Sequence, residues 1–205
     1  MNHAGRGLAI AAACLLNAGC ATRVIPPLAP ADPAPVFIAD YGLHSSLVFP
    51  LALRGEGSTG AVEYAYGEWE WYALGNEAWW RAPGVVLVPN PGALGRREIG
   101  AAANAETLAL ALGAEGIAEA TVDRERAVAL LRDLDARWEA RAETRVRNSR
   151  VGLEFVRDER DYWMFHHCNT QTAEWLEALG CRVSGAAWGS TFVIFRPALP
   201  RPGDP

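Results

Sequence analysis

Val36-Phe37-Ile38-Ala39, Asp40-Tyr41-Gly42 and His44-Ser45-Ser46-Leu47-Val48-Phe49-Pro50 follow one another almost without a break. The first and third pieces are short runs rich in β-branched, aromatic and aliphatic residues, and the second is turn chemistry. Pro50 has no amide donor and ends the second strand. After a loop over residues 55–60, Ala61-Val62-Glu63-Tyr64-Ala65-Tyr66 alternates in part and stops at Gly67, a third strand. Three strands with short connections predict an antiparallel meander.

Working outward, residues 68–80 hold Trp69, Trp71, Trp79 and Trp80 and predict a short helix or lid-like loop over the sheet edge. These rings either pack a core or line an apolar groove for an acyl or peptide substrate. Residues 85–89 read as a strand. Residues 107–112 suit an edge strand, though their alanine content leaves the state open. Val128, Leu131, Leu134 and Trp138 fall at helical spacing, predicting a helix over 121–142 whose charged residues form a solvated face. Residues 152–156 read as a strand. Ala173, Leu176 and Leu179 stripe a helix over 169–179, and Gly180 is its stop. Residues 182–184 and a last strand over 191–195 follow. The class is α+β, an antiparallel β-sheet packed on helices.

The chain has 205 residues and 22.1 kDa, one domain's worth. Its 19 basic side chains are all arginine, and the net charge is -5. That charge argues against a general nucleic-acid binder, and the lack of lysine removes Schiff-base chemistry. Phosphate loops, dinucleotide fingerprints and Gly-x-Ser-x-Gly elbows are absent, so no cofactor is expected.

Residues 1–19 carry one arginine, an apolar run over 8–16 and small residues before Cys20, the pattern of a secretory leader. Ala18-Gly19-Cys20 looks like a bacterial lipobox, with Asn17 where leucine is usual. The likeness implies cleavage before Cys20, lipidation of Cys20, and a membrane partner through that anchor. Ala21 after Cys20 favours the outer membrane, facing the periplasm. Residues 20–35, with five prolines, predict an extended tether. One α+β domain is expected over 36–197, then a frayed tail over 198–205.

Cys168 falls where the 169–179 helix begins, so free N–H groups and the helix dipole would favour its thiolate and hold an oxyanion. His44 could serve as base, and Glu63, about one hairpin away, could orient it. Nucleophile, base and orienter is the logic of cysteine hydrolases. Tyr64, Tyr66 and Glu68 compete for the third role. If 168–179 is helical, Cys168 and Cys181 lie roughly 18 to 20 Å apart, too far for the disulfide that export would otherwise permit. His44, His166, His167 and Cys168 suggest zinc, but neighbouring residues cannot easily converge on one ion, and no metal is expected.

His44 on an early strand, an acidic residue on the next, and His167-Cys168 opening a later helix resemble the circularly permuted papain-like group, which includes NlpC-related lipoproteins and lecithin:retinol acyltransferase relatives. More closely, His44-Ser45-Ser46-Leu47-Val48-Phe49-Pro50, Glu63-Tyr64-Ala65-Tyr66-Gly67-Glu68 and His167-Cys168-Asn169-Thr170 are similar to an uncharacterised bacterial family noted near urease genes. The chain departs from that pattern at Glu68, which follows Gly67 directly, and at His167, where asparagine is usual. The resemblance implies a circularly permuted papain-like (NlpC-type) fold. It leads to a cell-envelope thiol hydrolase or acyltransferase using Cys168, His44 and Glu63 on a peptidoglycan peptide or lipid ester, with Trp69, Trp71 and Tyr66 in substrate binding. The alternative is a non-catalytic lipoprotein that binds a peptide or lipid through its Trp-rich segment.

Overall fold

A computed structural model describes residues 21–55, 57–100, 103–185, 187 and 189–196. The leader over 1–19, Cys20 and the tail over 198–205 lie outside them.

The strands are β1 (Thr22–Ile25), β2 (Pro33–Asp40), β3 (Ser45–Pro50), β4 (Ala61–Glu68), β5 (Asn90–Ile99), β6 (Gly116–Asp123), β7 (Val146–Asn148), β8 (Leu153–Tyr162), β9 (Arg182–Ser184) and β10 (Phe192–Ile194). The α-helices are α1 (Ala82–Leu87), α2 (Ala105–Leu112), α3 (Arg124–Ala140) and α4 (Cys168–Ala178). Seven strands form one sheet in the order β6-β2-β3-β4-β5-β8-β7, each adjacent pair antiparallel. The expected meander is its centre, in the register Val48↔Glu63 and Leu47↔Tyr64. The protein is α+β.

Both faces of this sheet are covered, which explains why β4 is buried at every position. On one face Leu47, Phe49, Tyr64 and Tyr66 meet Leu131, Leu134 and Trp138 of α3 and Trp175 and Leu176 of α4. On the other, Phe37, Val48 and Ala61 meet Leu108 and Leu112 of α2. Beside that cluster, Ala65, Ala93 and Phe155 pack against Trp69 and Ala73.

Several expectations are corrected. Residues 22–25 are not tether: β1 is the middle strand of a second sheet, β10-β1-β9, and Val24 is fully buried. Pro33, Ala34 and Pro35 already pair with β6. Every described element lies between Thr22 and Ile194. Residues 85–89 are not a strand, because α1 with Pro83 in its first turn takes most of them. Residues 107–112 are helical: Asn104 caps α2 by accepting the Thr107 N–H at 3.0 Å, and Gly113 closes it with φ 63°. Residues 121–123 belong to β6, and the helix starts only after Asp123, whose side chain accepts the Glu125 N–H at 3.2 Å. β5 was not anticipated, since Pro91, Gly92, Gly95, Arg96 and Arg97 are poor strand formers. Its glycines admit neighbouring rings: a Cβ on Gly95 would stand 2.8 Å from the Phe155 ring.

Candidate active site

The turn between β2 and β3 and the start of α4 meet at one end of the central sheet. Buried polar side chains fix the join. Ser45 donates to Asn169 Oδ1 at 2.8 Å and reaches Thr172 Oγ1 at 3.1 Å. His167 opens the helix, and its N–H donates to Thr170 Oγ1 at 2.7 Å. The polar residues Asn169 and Thr172 thus face inward because a partner awaits them on β3.

This join places the Cys168 sulfur against the His44 turn. The thiol points to the Leu43 carbonyl oxygen at 3.9 Å. The N–H groups of Asn169, Ser45 and Cys168 and the Tyr162 hydroxyl also face the sulfur, and each favours its thiolate. Burial outweighs them and pushes the thiol up to about 11. Burial pushes Cys181 up to about 11 as well, so thiolate content at rest does not set the two apart. Both are free thiols, separated by the length of α4.

His44 is held down to about 4, chiefly by burial, against the opposing pull of Glu63. The imidazole is therefore neutral at neutral pH. Its Nδ1 is buried and has no hydrogen-bond partner. The Tyr72 ring lies 5.6 Å from that of His44 and 6.4 Å from that of Tyr162. Gly67 makes room for it, since a Cβ there would stand 2.7 Å from the Tyr72 ring.

Glu63 does not hydrogen-bond His44 Nδ1. It is fully buried and accepts from Tyr41 at 2.5 Å, Ser46 at 2.6 Å and Arg97 Nε at 2.6 Å. Arg97 Nη2 donates in turn to the Tyr41 hydroxyl at 2.9 Å. Glu63 acts on His44 through its charge and braces the β2–β3 turn through Tyr41.

Of the expected binding residues, Trp69 is 5% exposed and packs in the core with Arg157 over its ring at 4.7 Å. Tyr66 is fully buried, and its hydroxyl donates to the Arg160 carbonyl oxygen at 2.9 Å. Trp71 is half-buried against the main cluster. Among the described residues, the exposed tryptophans are Trp79 at 79% and Trp80 at 67%, just before α1. The competing Glu68 caps the turn that follows β4 by accepting the Trp71 N–H at 2.5 Å, and Tyr64 donates to Asp135 at 2.5 Å. His166 donates to the Asp161 carbonyl oxygen at 2.7 Å, and its ring lies tilted against that of Tyr66, centroids 4.9 Å apart. Among the described residues, no three His, Cys, Asp or Glu side chains converge as metal ligands.

A cavity of about 290 Å³ opens beside His44, and its lining includes the expected Tyr66 together with Tyr41, Tyr72, Phe155, Arg97 and Arg150. Tyr72, Tyr162, Tyr41 and Arg97 were missed at the sequence level. They come from four separate stretches of chain, and no spacing rule links them. Asn169 stood in the quoted motif, and its inward turn is legible only with Ser45 opposite. No protein-family model, no curated protein and no solved structure matches this chain.

Proposed function

We propose that the protein is a cell-envelope thiol hydrolase or acyltransferase with a circularly permuted papain-like (NlpC-type) site. The carrying observation is the seating of Cys168 Sγ between the Leu43 carbonyl and the Ser45 N–H, either side of His44, whose Nδ1 is unpartnered. A neutral thiol beside a neutral imidazole is not a preformed ion pair. His44 takes the Cys168 proton as sulfur attacks an amide or ester carbonyl, then returns it to the leaving amine or alcohol. The Cys168 N–H and the Tyr162 hydroxyl, which face the sulfur, would receive the oxyanion in this reading. The cavity beside His44 takes an apolar arm of the substrate, such as an acyl chain or a peptide side chain. Peptidoglycan peptides and lipid esters are the substrate classes, and Cys20 anchors the protein in the outer membrane.

The test is intact-mass analysis of the protein mixed with aryl esters of graded acyl length and with muropeptides. An acyl adduct on Cys168, absent in Cys168→Ala and slowed about 100-fold or more in His44→Ala, is expected. Turnover equal to that of Cys168→Ala would sink the enzyme reading.

One observation favours a second reading, a non-catalytic binding lipoprotein. Trp79 and Trp80 stand exposed before α1, whose neighbour Val88 is also open. Ligand retention by Cys168→Ala, lost in Trp79→Ser/Trp80→Ser, with no acyl adduct in the parent, would establish it.

A further inference from the structure

The second sheet presents an outward face at the point where the described chain begins. β1 sits between β9 and β10 with Arg23↔Ser184, Ile25↔Arg182 and, in parallel, Arg23↔Val193. Paired residues share a face, and residues two apart along a strand return to it. Arg23, Ile25, Arg182, Ser184 and Val193 therefore point outward, whereas Val24 and Phe192 point into the core. Phe195 joins the outer face, with the Arg23 guanidinium 4.9 Å over its ring. Val193 and Phe195 are 49% and 44% exposed.

This face departs from the rest of the molecule. The chain carries a net charge of -5, yet β1, β9 and β10 contain no Asp or Glu. Among the described residues, Arg23 and Arg182 make no ion pair with a carboxylate; Arg126, Arg132, Arg147 and Arg157 likewise make none, whereas Arg54, Arg97, Arg137 and Arg160 do. Two unneutralised arginines interleaved with exposed Val193 and Phe195 match a surface that is anionic outside and apolar beneath.

We propose that the outer face of β10-β1-β9 lies on an anionic lipid bilayer. This occupant rests on the lipid anchor proposed above: Thr22 opens β1 two residues after Cys20, the attachment point in that reading. Hydrogen bonds run from this sheet to the candidate active site. Thr22 N–H donates to the Thr191 carbonyl oxygen at 2.9 Å, and Ser190 donates to the Gly42 carbonyl oxygen at 2.7 Å, one residue from Leu43. Docking there holds the Cys168–His44 turn close to the lipid surface. The arginines meet headgroup phosphates, and the two apolar side chains reach the interface.

The test uses residues 21–205, which contain every described element and lack the lipid, so that failed lipidation and failed docking are read separately. Flotation with phosphatidylcholine vesicles is compared with vesicles holding a third phosphatidylglycerol. Tighter binding to the anionic vesicles is expected. It weakens about fivefold for each of Arg23→Gln and Arg182→Gln, and disappears when salt shortens the Debye length to about 3 Å. Phe195→Ser weakens what remains. Circular dichroism verifies that the variants stay folded. Equal binding to both vesicles, or folded arginine variants that bind as the parent does, would overturn the proposal. A dimer in sedimentation that the same substitutions dissolve would assign the face to a second copy instead. Labelled fatty acid on Cys20 in cells reads the anchor independently.

Discussion

At the residue scale, the protonation state of His44 links the site to stability. Its folded value is lowered to about 4 from an ordinary 6.5, so the folded protein prefers the neutral ring. For a histidine displaced downward, the stabilisation is complete above 6.5 and is lost as pH falls from there towards about 4. Below that the ring is charged in both states and the slope ends. The displacement corresponds to about 3 kcal/mol. Urea midpoints measured across this window should fall by that order, and the fall should flatten in His44→Gln. His167, also lowered by burial and by His166, leaves a residual slope of the same sign. An unaltered slope in His44→Gln would mean that the ring is solvated in the folded protein. Cys168 and His44 were legible in the sequence because each sits at an element boundary, one beside the turn after β2 and the other at the start of α4. The role given to Glu63 was only half legible. Spacing put it on the neighbouring strand, but not the Tyr41, Ser46 and Arg97 donors that use its oxygens.

At the element scale, the turn that follows β4 sets the wall of the site. Trp69–Ala73 winds as a π-helix, and Tyr72 folds back over Gly67 to reach His44. A side chain on Gly67 must displace that ring. Gly67→Val should cost roughly 1–3 kcal/mol and should slow Cys168 acylation more than Leu134→Ala, a core truncation on α3 away from the cavity that costs at least as much. Paired acylation rates and urea midpoints check this. Equal slowing in both variants would reduce Tyr72 to packing. The same element shows why the tryptophan cluster misled: composition counts rings, and only the fold sends Trp69 inward and leaves Trp79 and Trp80 outside. The misread α2 did carry its signals, the Asn104 cap and the Gly113 stop. Its Leu108 and Leu112 lie four apart, as one face of a helix requires, and the Leu-Ala alternation hid that behind a strand-like period. β5 carried no such signal, because its strand state comes from hydrogen bonding to β4 and β8 on either side.

At the scale of the whole molecule, β1 decides whether the N-terminal segment is a tether or part of the fold. Proline content led the sequence reading to a tether, and extended backbone suits either role. The pairing settles it: the Phe195 N–H donates to the Val24 carbonyl oxygen at 2.8 Å, and Val24 is buried among β9, β10 and the main cluster. β9 in turn packs against α4, the helix that bears Cys168. A carboxylate at Val24 would be buried without a partner, so Val24→Asp should lower stability by about 3 kcal/mol or more. Arg23→Gln, on the open face of the same strand, should stay within about 0.5 kcal/mol of the parent. A tether predicts that neither substitution matters, so urea unfolding of the pair separates the two descriptions. If Val24→Asp unfolds with the parent's midpoint, β1 is not part of the cooperative unit. If it is lowered as expected, the proposed acylation of Cys168 should fall with it near the new midpoint, because loosening β1 frees β9 and, through it, the start of the helix that bears Cys168.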